Sequence, residues 1–178
     1  MSTQIAIPDI TYNLLINEII KYSVCTDPNL SLLESLKNLT KEELQDKRQA
    51  MKEMGISVGE RIIGFIVKEH VWTKEHNSLM RFICKELWMY LFGRYIGRLQ
   101  ANNKGVYIMY DYKFHWFQGL DLSESIDREN FEKFCSLALS WVCGVLKGAF
   151  KGLGKESSIE AAVEENNSCR FTITLKLG

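Results

Sequence analysis

Apolar residues recur three and four apart along most of this chain and alternate with polar ones in only a few short stretches. Ile10, Leu14, Leu15, Ile19 and Ile20 follow Asp9 at helical spacing, and Asp9 can cap the first turn, so a helix is predicted over 9–24. Asp27-Pro28-Asn29 carries turn chemistry, and the leucine-rich stretch 30–39 reads as a short helix. Thr40 and Glu43 form a capping box, with Leu39 and Leu44 at the staple positions around it. The helix they open is expected to run to Met54, where Gly55 supplies a left-handed stop. Ser57 and Glu60 repeat the box and predict a further helix through Ile62, Ile63, Ile66 and Val67 to about His70.

A fourth helix is expected over 75–92, with Leu79, Phe82, Ile83, Leu87, Tyr90 and Leu91 on its apolar face. Beyond the loop at 102–105 the period changes. Val106–Asp111 and Phe114–Phe117 are aromatic-rich and read as two strands of a hairpin. Helical spacing returns over 128–153. Ile159, Ala161 and Val163, then Phe171, Ile173, Leu175 and Leu177, alternate on either side of EENNS and make a second hairpin. The order helices, hairpin, helix, hairpin predicts an α+β fold in which helices cover a small antiparallel sheet. No repeat or linker divides the chain, so residues 1–178 read as one domain.

Composition narrows the function. Lysine plus arginine and aspartate plus glutamate number 22 each, which gives no overall field for nucleic acid or an anionic membrane. No basic groove accompanies the aromatic stretch YIMYDYKFHWF, so base stacking is not favoured. The N-terminus has no secretory pattern, and no apolar run reaches the length of a transmembrane span. Five cysteines without CxxC or zinc spacing read as reduced thiols of an intracellular protein. Catalytic signals are lacking. Gly154-Lys155 has Ala149 and Glu156 where a P-loop needs glycine and a hydroxyl, and no histidines sit at metal-gripping helical spacing. Neither an enzyme nor a cofactor is expected.

Two features point to association instead. The segments 9–24, 57–70 and 131–153 are apolar over more of their circumference than one core stripe needs, and large apolar patches rarely stay exposed. Gly144, Gly148 and Gly152 fall four apart, on one stripe of a helix. Each glycine costs up to about 1 kcal/mol of helix propensity, which close backbone packing has to offset. The same small-residue face leaves open a second reading, an apolar cavity that binds a lipid or small molecule. A free-standing homodimer is a third.

Met54-Gly55, Val58-Gly59 and Arg61-Ile62, then RFICKELWMYLFG over 81–93, resemble two signatures of the small subunits of TRAPP, the transport protein particle that tethers vesicles and activates Rab GTPases. Leu99, Asn102, Gly105, Tyr107, Asp111 and Phe114 fit a third pattern of that family. Cys143-Gly144, Leu146, Gly148-Ala149 and Leu153-Gly154 fit a fourth, and Cys169-Arg170-Phe171 a fifth. The matches keep their order from about 54 to 173 and are similar to the subunit-6 branch of this Bet3-like superfamily. The resemblance implies helices on one side of a four-stranded antiparallel sheet and a scaffold without catalytic residues. It implies a heterodimer with a subunit-3-type chain, further TRAPP subunits as partners, and a cytoplasmic position peripheral to ER and Golgi membranes. By matching position, Leu14, Leu15, Glu18, Ile19, Ile62 and Ile66 are the expected pairing residues. The subunit-3 lipid-modified cysteine has no counterpart at 70–76, and 25–53 matches poorly and reads as a variable insertion.

Overall fold

The computed structural model describes residues 9–25, 30–69, 75–102, 105–112, 114–117, 128–164 and 168–176. Helix α1 spans Asp9–Val24 and α2 spans Leu32–Lys37. A capping box that the sequence reading missed starts α2: the Ser31 hydroxyl accepts from the Glu34 N–H, and the Glu34 carboxylate accepts from the Ser31 N–H at 2.9 Å. The expected turn at 27–29 lies outside the described residues, as does Leu177. The region read as an insertion is helical over 32–37 and from Lys41 on, and its Leu36 and Met51 are buried in the core.

Thr40 and Glu43 cap the next helix as their spacing predicts, with the Thr40 N–H donating to Glu43 Oε2 at 2.9 Å. That helix does not stop at Gly55. Helix α3 runs unbroken over Lys41–Glu69, so the second capping box at Ser57 and Glu60 opens nothing. Gly55 is not among the left-handed glycines, which among the described residues are Gly93, Gly105 and Gly154. The reason is tertiary: Gly55 and Gly59 are buried against α6, Arg128–Gly152, and close packing there outweighs their poor helix propensity.

Residues 76–92 form α4 (His76–Phe82), one π turn (Ile83–Leu87) and α5 (Trp88–Phe92). The Cys84 carbonyl in that π turn accepts from the Ile96 N–H at 3.2 Å, tying the helix to the chain that leaves it. Gly93, at φ 67°, ends α5 in the left-handed conformation. Strands β1 (Arg98–Ala101), β2 (Val106–Asp111), β3 (Ser157–Val163) and β4 (Cys169–Leu175) make one antiparallel sheet in the order β1-β2-β4-β3.

The hairpin partner of β2 is therefore β1, which precedes it. Residues 114–117, expected as a strand, hold instead a 3-10 turn at His115–Phe117, with Phe114, Trp116 and Phe117 buried. Their aromatic rings pack on Phe92, Phe131 and Phe171 and serve the core, not a ladder.

The helices lie on one sheet face. Tyr107, Met109, Asp111, Cys169, Phe171, Ile173 and Leu175 are buried beneath them, and the alternate residues are more exposed. Helix α6 packs on β3 and, over its opposite side, on α3. By length and hydropathy α6 could cross a membrane, but 78% of that apolar window is buried inside the chain. It is the core helix.

Candidate partner-docking surface

Four glycines set how α3 meets α6. A Cβ on Gly148 would fall 2.1 Å from the Ile56 carbonyl oxygen, and one on Gly144 would fall 2.2 Å from that of Lys52. In return, a Cβ on Gly55 would meet the Trp141 oxygen at 2.3 Å, and one on Gly59 the Val145 oxygen at 2.0 Å. The two backbones are thus in contact over two turns of each helix. The last glycine of the stripe, Gly152, is exposed and faces the Ile63 side chain, with the Glu60 backbone no closer than 3.8 Å to its would-be Cβ. This packing fills the space in which the cavity reading would have placed a ligand.

Pressed onto α6 along one stripe, α3 turns its remaining faces outward. Phe65 is 65% exposed and Met54 43%. Ile62 is half-buried between that surface and the core. On α1, Leu15 is 55% exposed, Tyr22 is 88% exposed and Glu18 is exposed beside them, while Ile16, Ile20 and Val24 point inward. Ile19 is half-buried, and the side chain of Leu14 lies outside the described residues.

Ile66 departs from expectation. It is 4% exposed and belongs to the core of the single chain, so it has no surface to offer a partner. Met54 and Phe65 stand three turns apart on one side of α3, displaced from the glycine contact. The contact stripe, once known, separates the two sides of the apolar C-terminal part of α3. From sequence alone both sides look equally fit for the core.

The remaining signature residues are structural. The Trp88 indole N–H donates to Asp111 Oδ2 at 3.0 Å, and Arg94 donates to the same oxygen at 2.8 Å. Asn102 Oδ1 accepts from the Val106 N–H at 2.9 Å and closes the β1–β2 turn, where Gly105 adopts φ 75°. Among the described residues, no three acidic, histidine or cysteine side chains form a metal-holding group.

The five cysteines are free thiols. Burial pushes the Cys84, Cys135 and Cys143 thiols up to about 12, and Cys169 is raised by burial too. They are neutral at physiological pH and poor nucleophiles. An alkaline weakness follows, since the unfolded chain releases these protons from about pH 9 upward while the folded chain keeps them. Stability is expected to be insensitive to these groups below pH 9. Above it, stability should fall by on the order of 1 kcal/mol per pH unit for each thiol. Urea midpoints measured from pH 8 to 10.5 check this; a Cys84→Ala variant should show a shallower decline.

Comparison with known proteins identifies the family and the fold. Residues 12–176 match the family described as transport protein particle (TRAPP) component. Trafficking protein particle complex subunit 6B of Homo sapiens is 28% identical over 126 residues, covering 71% of this chain and 77% of that protein. The human subunit 6A is 29% identical over 123 residues, covering 68% and 74%. A crystal structure of trafficking protein particle complex subunit 3 from Naegleria fowleri, covalently bound to palmitic acid, superposes with a TM-score of 0.66. It shares 14% identity over 95% of this chain and 93% of its own, a likeness of fold. The chain belongs to the TRAPP component family, and its similarity to subunits 6A and 6B makes it a subunit of the subunit-6 type.

Proposed function

We propose that this chain is a non-catalytic scaffold subunit of a TRAPP vesicle-tethering and Rab guanine-nucleotide exchange complex, acting in ER-to-Golgi and Golgi traffic. In this reading it works on the cytoplasmic side of those membranes and reaches them through the complex. Residues 1–178 act as one domain. It pairs with a subunit-3-type chain through α1 and the outward side of α3.

The observation that carries this reading is the exposure of Leu15, Tyr22 and Phe65 on those two helices. Tyrosine and phenylalanine are enriched at interface centres, and a stable interface needs about 800 Å² per partner with an apolar centre. The chemistry supports a scaffold: the buried thiols of Cys84, Cys135, Cys143 and Cys169 are neutral, and the signature carboxylate Asp111 is buried in a structural network.

Light scattering of the purified chain mixed with a subunit-3-type chain at micromolar concentration tests it. The wild type should form a heterodimer. Leu15→Asp and Phe65→Asp should each weaken pairing by about 100-fold. Both positions are exposed, so the isolated variants should keep unfolding free energies within about 0.5 kcal/mol of the wild type. Pairing that survives both substitutions would overturn the reading. A dimer of this chain alone, split by the same variants, would replace it with the homodimer.

A further inference from the structure

A groove of about 1260 Å³ runs beside α6, away from the exposed faces of α1 and α3 just described. Its floor is a stripe of α6 that includes Phe131, Cys135 and Leu139. One wall is the N-terminal half of α3, with Arg48 and Lys52, and the other is β3. Small-molecule pockets span about 300–1,000 Å³, so the groove is larger than such ligands need.

Among the described residues the β3 wall is a free sheet edge, because β3 ends the order β1-β2-β4-β3. Its hydrogen-bond phase can be read directly. The Glu164 N–H donates to the Ser168 oxygen at 2.8 Å, and the Lys176 N–H donates to the Glu156 oxygen at 3.2 Å. Both pairs extend the β3–β4 register, in which Ser157 faces Leu175 and Val163 faces Cys169. Inward and outward pairs alternate in an antiparallel ladder, so the even-numbered residues bond β4. Ser157, Ile159, Ala161 and Val163 therefore turn their N–H and C=O groups outward. The register is unbroken over seven residues, with no bulge, proline or lysine of the kind that blunts an edge. The opposite edge, β1, is only four residues long.

Two observations say what fits there. Phe131, Cys135, Leu139, Cys143 and Ile159 are each already buried to more than nine-tenths, so a docked helix would gain little apolar burial. Outward main-chain groups offer an extended segment a full row of hydrogen bonds. Lengths agree as well: Arg128 to Cys143 spans about 22 Å of helix, and seven strand residues span about 23 Å. Charge then selects the segment. Arg48 reaches only Ser140 Oγ and Gln45 Oε1, each at 3.4 Å, and neither Arg48 nor Lys52 has an ion pair among the described residues. On the floor, Glu132 is paired with Arg128, and at the end of the opposite wall Glu164 is paired with Arg170. Glu160, also in the groove and without an ion pair among the described residues, disfavours acid on its own side.

We propose that the β3 edge binds an extended segment of a partner chain, which adds as a fifth strand and turns acidic side chains toward Arg48 and Lys52. This surface is separate from the α1–α3 pairing face, and a Leu15→Asp chain should retain it.

The test is a titration of the isotope-labelled full chain with the capped heptapeptide TETVTET, followed by NMR. The amides of Ser157, Ile159, Ala161 and Val163 should shift and exchange more slowly with solvent, while those of Glu160 and Ala162 change little. The peptide TKTVTKT should bind at least about tenfold more weakly, and the double variant Arg48→Glu, Lys52→Glu should reverse that preference. Ala161→Pro, which removes one outward N–H and leaves the β4 ladder bonded, should abolish binding; unchanged signals from α6 report that it is folded. The proposal is overturned if the four amides stay unchanged at about 1 mM peptide or if both peptides bind equally. It is also overturned if shifts appear along α6 alone, as for a docked helix. Edge amides protected before any peptide is added, in a dimer that Ala161→Pro splits, would name a second copy as the occupant and equally overturn it.

Discussion

Gly148→Ala should lower stability by at least about 2 kcal/mol and Gly148→Val by about 4 kcal/mol, among the largest losses expected from the described glycines. The added Cβ would lie 2.1 Å from the Ile56 carbonyl oxygen and 2.8 Å from its carbon. Both atoms are backbone, so no side chain can swing aside and α3 must move off α6. Alanine gains back about 1 kcal/mol of helix propensity, which is too little to offset the displacement. Against a typical total of about 5–15 kcal/mol, the valine variant approaches the limit of folding.

Other glycines calibrate the argument. Gly59→Ala should behave like Gly148→Ala, because its Cβ would meet the Val145 oxygen at 2.0 Å. The two together should cost less than their sum, since helices already separated pay little more. Gly152→Ala would bring its Cβ to 2.6 Å from Ile63 Cγ2, a side chain rather than a backbone atom, and should cost less than Gly148→Ala. Gly64 has nothing within 4 Å of its would-be Cβ and lies exposed within α3, so Gly64→Ala should stabilise by roughly 0.5–1 kcal/mol. Urea unfolding of the four single variants checks the order. A Gly148→Ala protein as stable as Gly64→Ala would refute the backbone contact.

These contacts also explain which parts of the fold were legible in the sequence. Helix starts at Thr40 and Asp9, the C-terminal hairpin and the amphipathic stretch 76–92 rest on local chemistry, and they appear where the pattern puts them. Gly55 was misread because a glycine that stops a helix and one that admits a second helix look alike from within one segment. The deciding partner, Trp141, is 86 positions away. Strand β1 was missed for a related reason: RLQA has little strand character, and its ladder to β2 comes from Gly97 N–H bonding Tyr110 and from the Asn102 turn. The aromatics at 114–117 drew the strand reading that belonged to β1, since β propensity and core packing favour the same residues. At the docking surface, apolar width marked α1 and α3 as suspects. Only the crossing on α6 separates Phe65, which faces out, from Ile66, which faces in.

Arg94→Met is expected to destabilise the chain by about 3 kcal/mol, because it strands the buried carboxylate of Asp111. Asp111 ends β2 with its side chain 3% exposed, and Arg94 brings a charge-assisted hydrogen bond to it at 2.8 Å. Methionine fills much of the same volume but leaves the anion buried without that cation. The network sits where structure converges. Trp88, which shares the Oδ2 atom, packs edge-on against Phe171 of β4 and tilts against Phe92, so the pair pins α5 to the sheet. Asp111→Asn alone should cost less, because an amide oxygen can still accept from the Trp88 indole. Arg94→Met combined with Asp111→Asn should recover part of the loss, since no buried charge is then stranded. A double-mutant cycle from urea unfolding measures the coupling, expected at about 1–3 kcal/mol in favour of the pair. Strictly additive losses would mean that Arg94 acts through its own packing and that the ion pair contributes nothing to holding the α5–β2 corner.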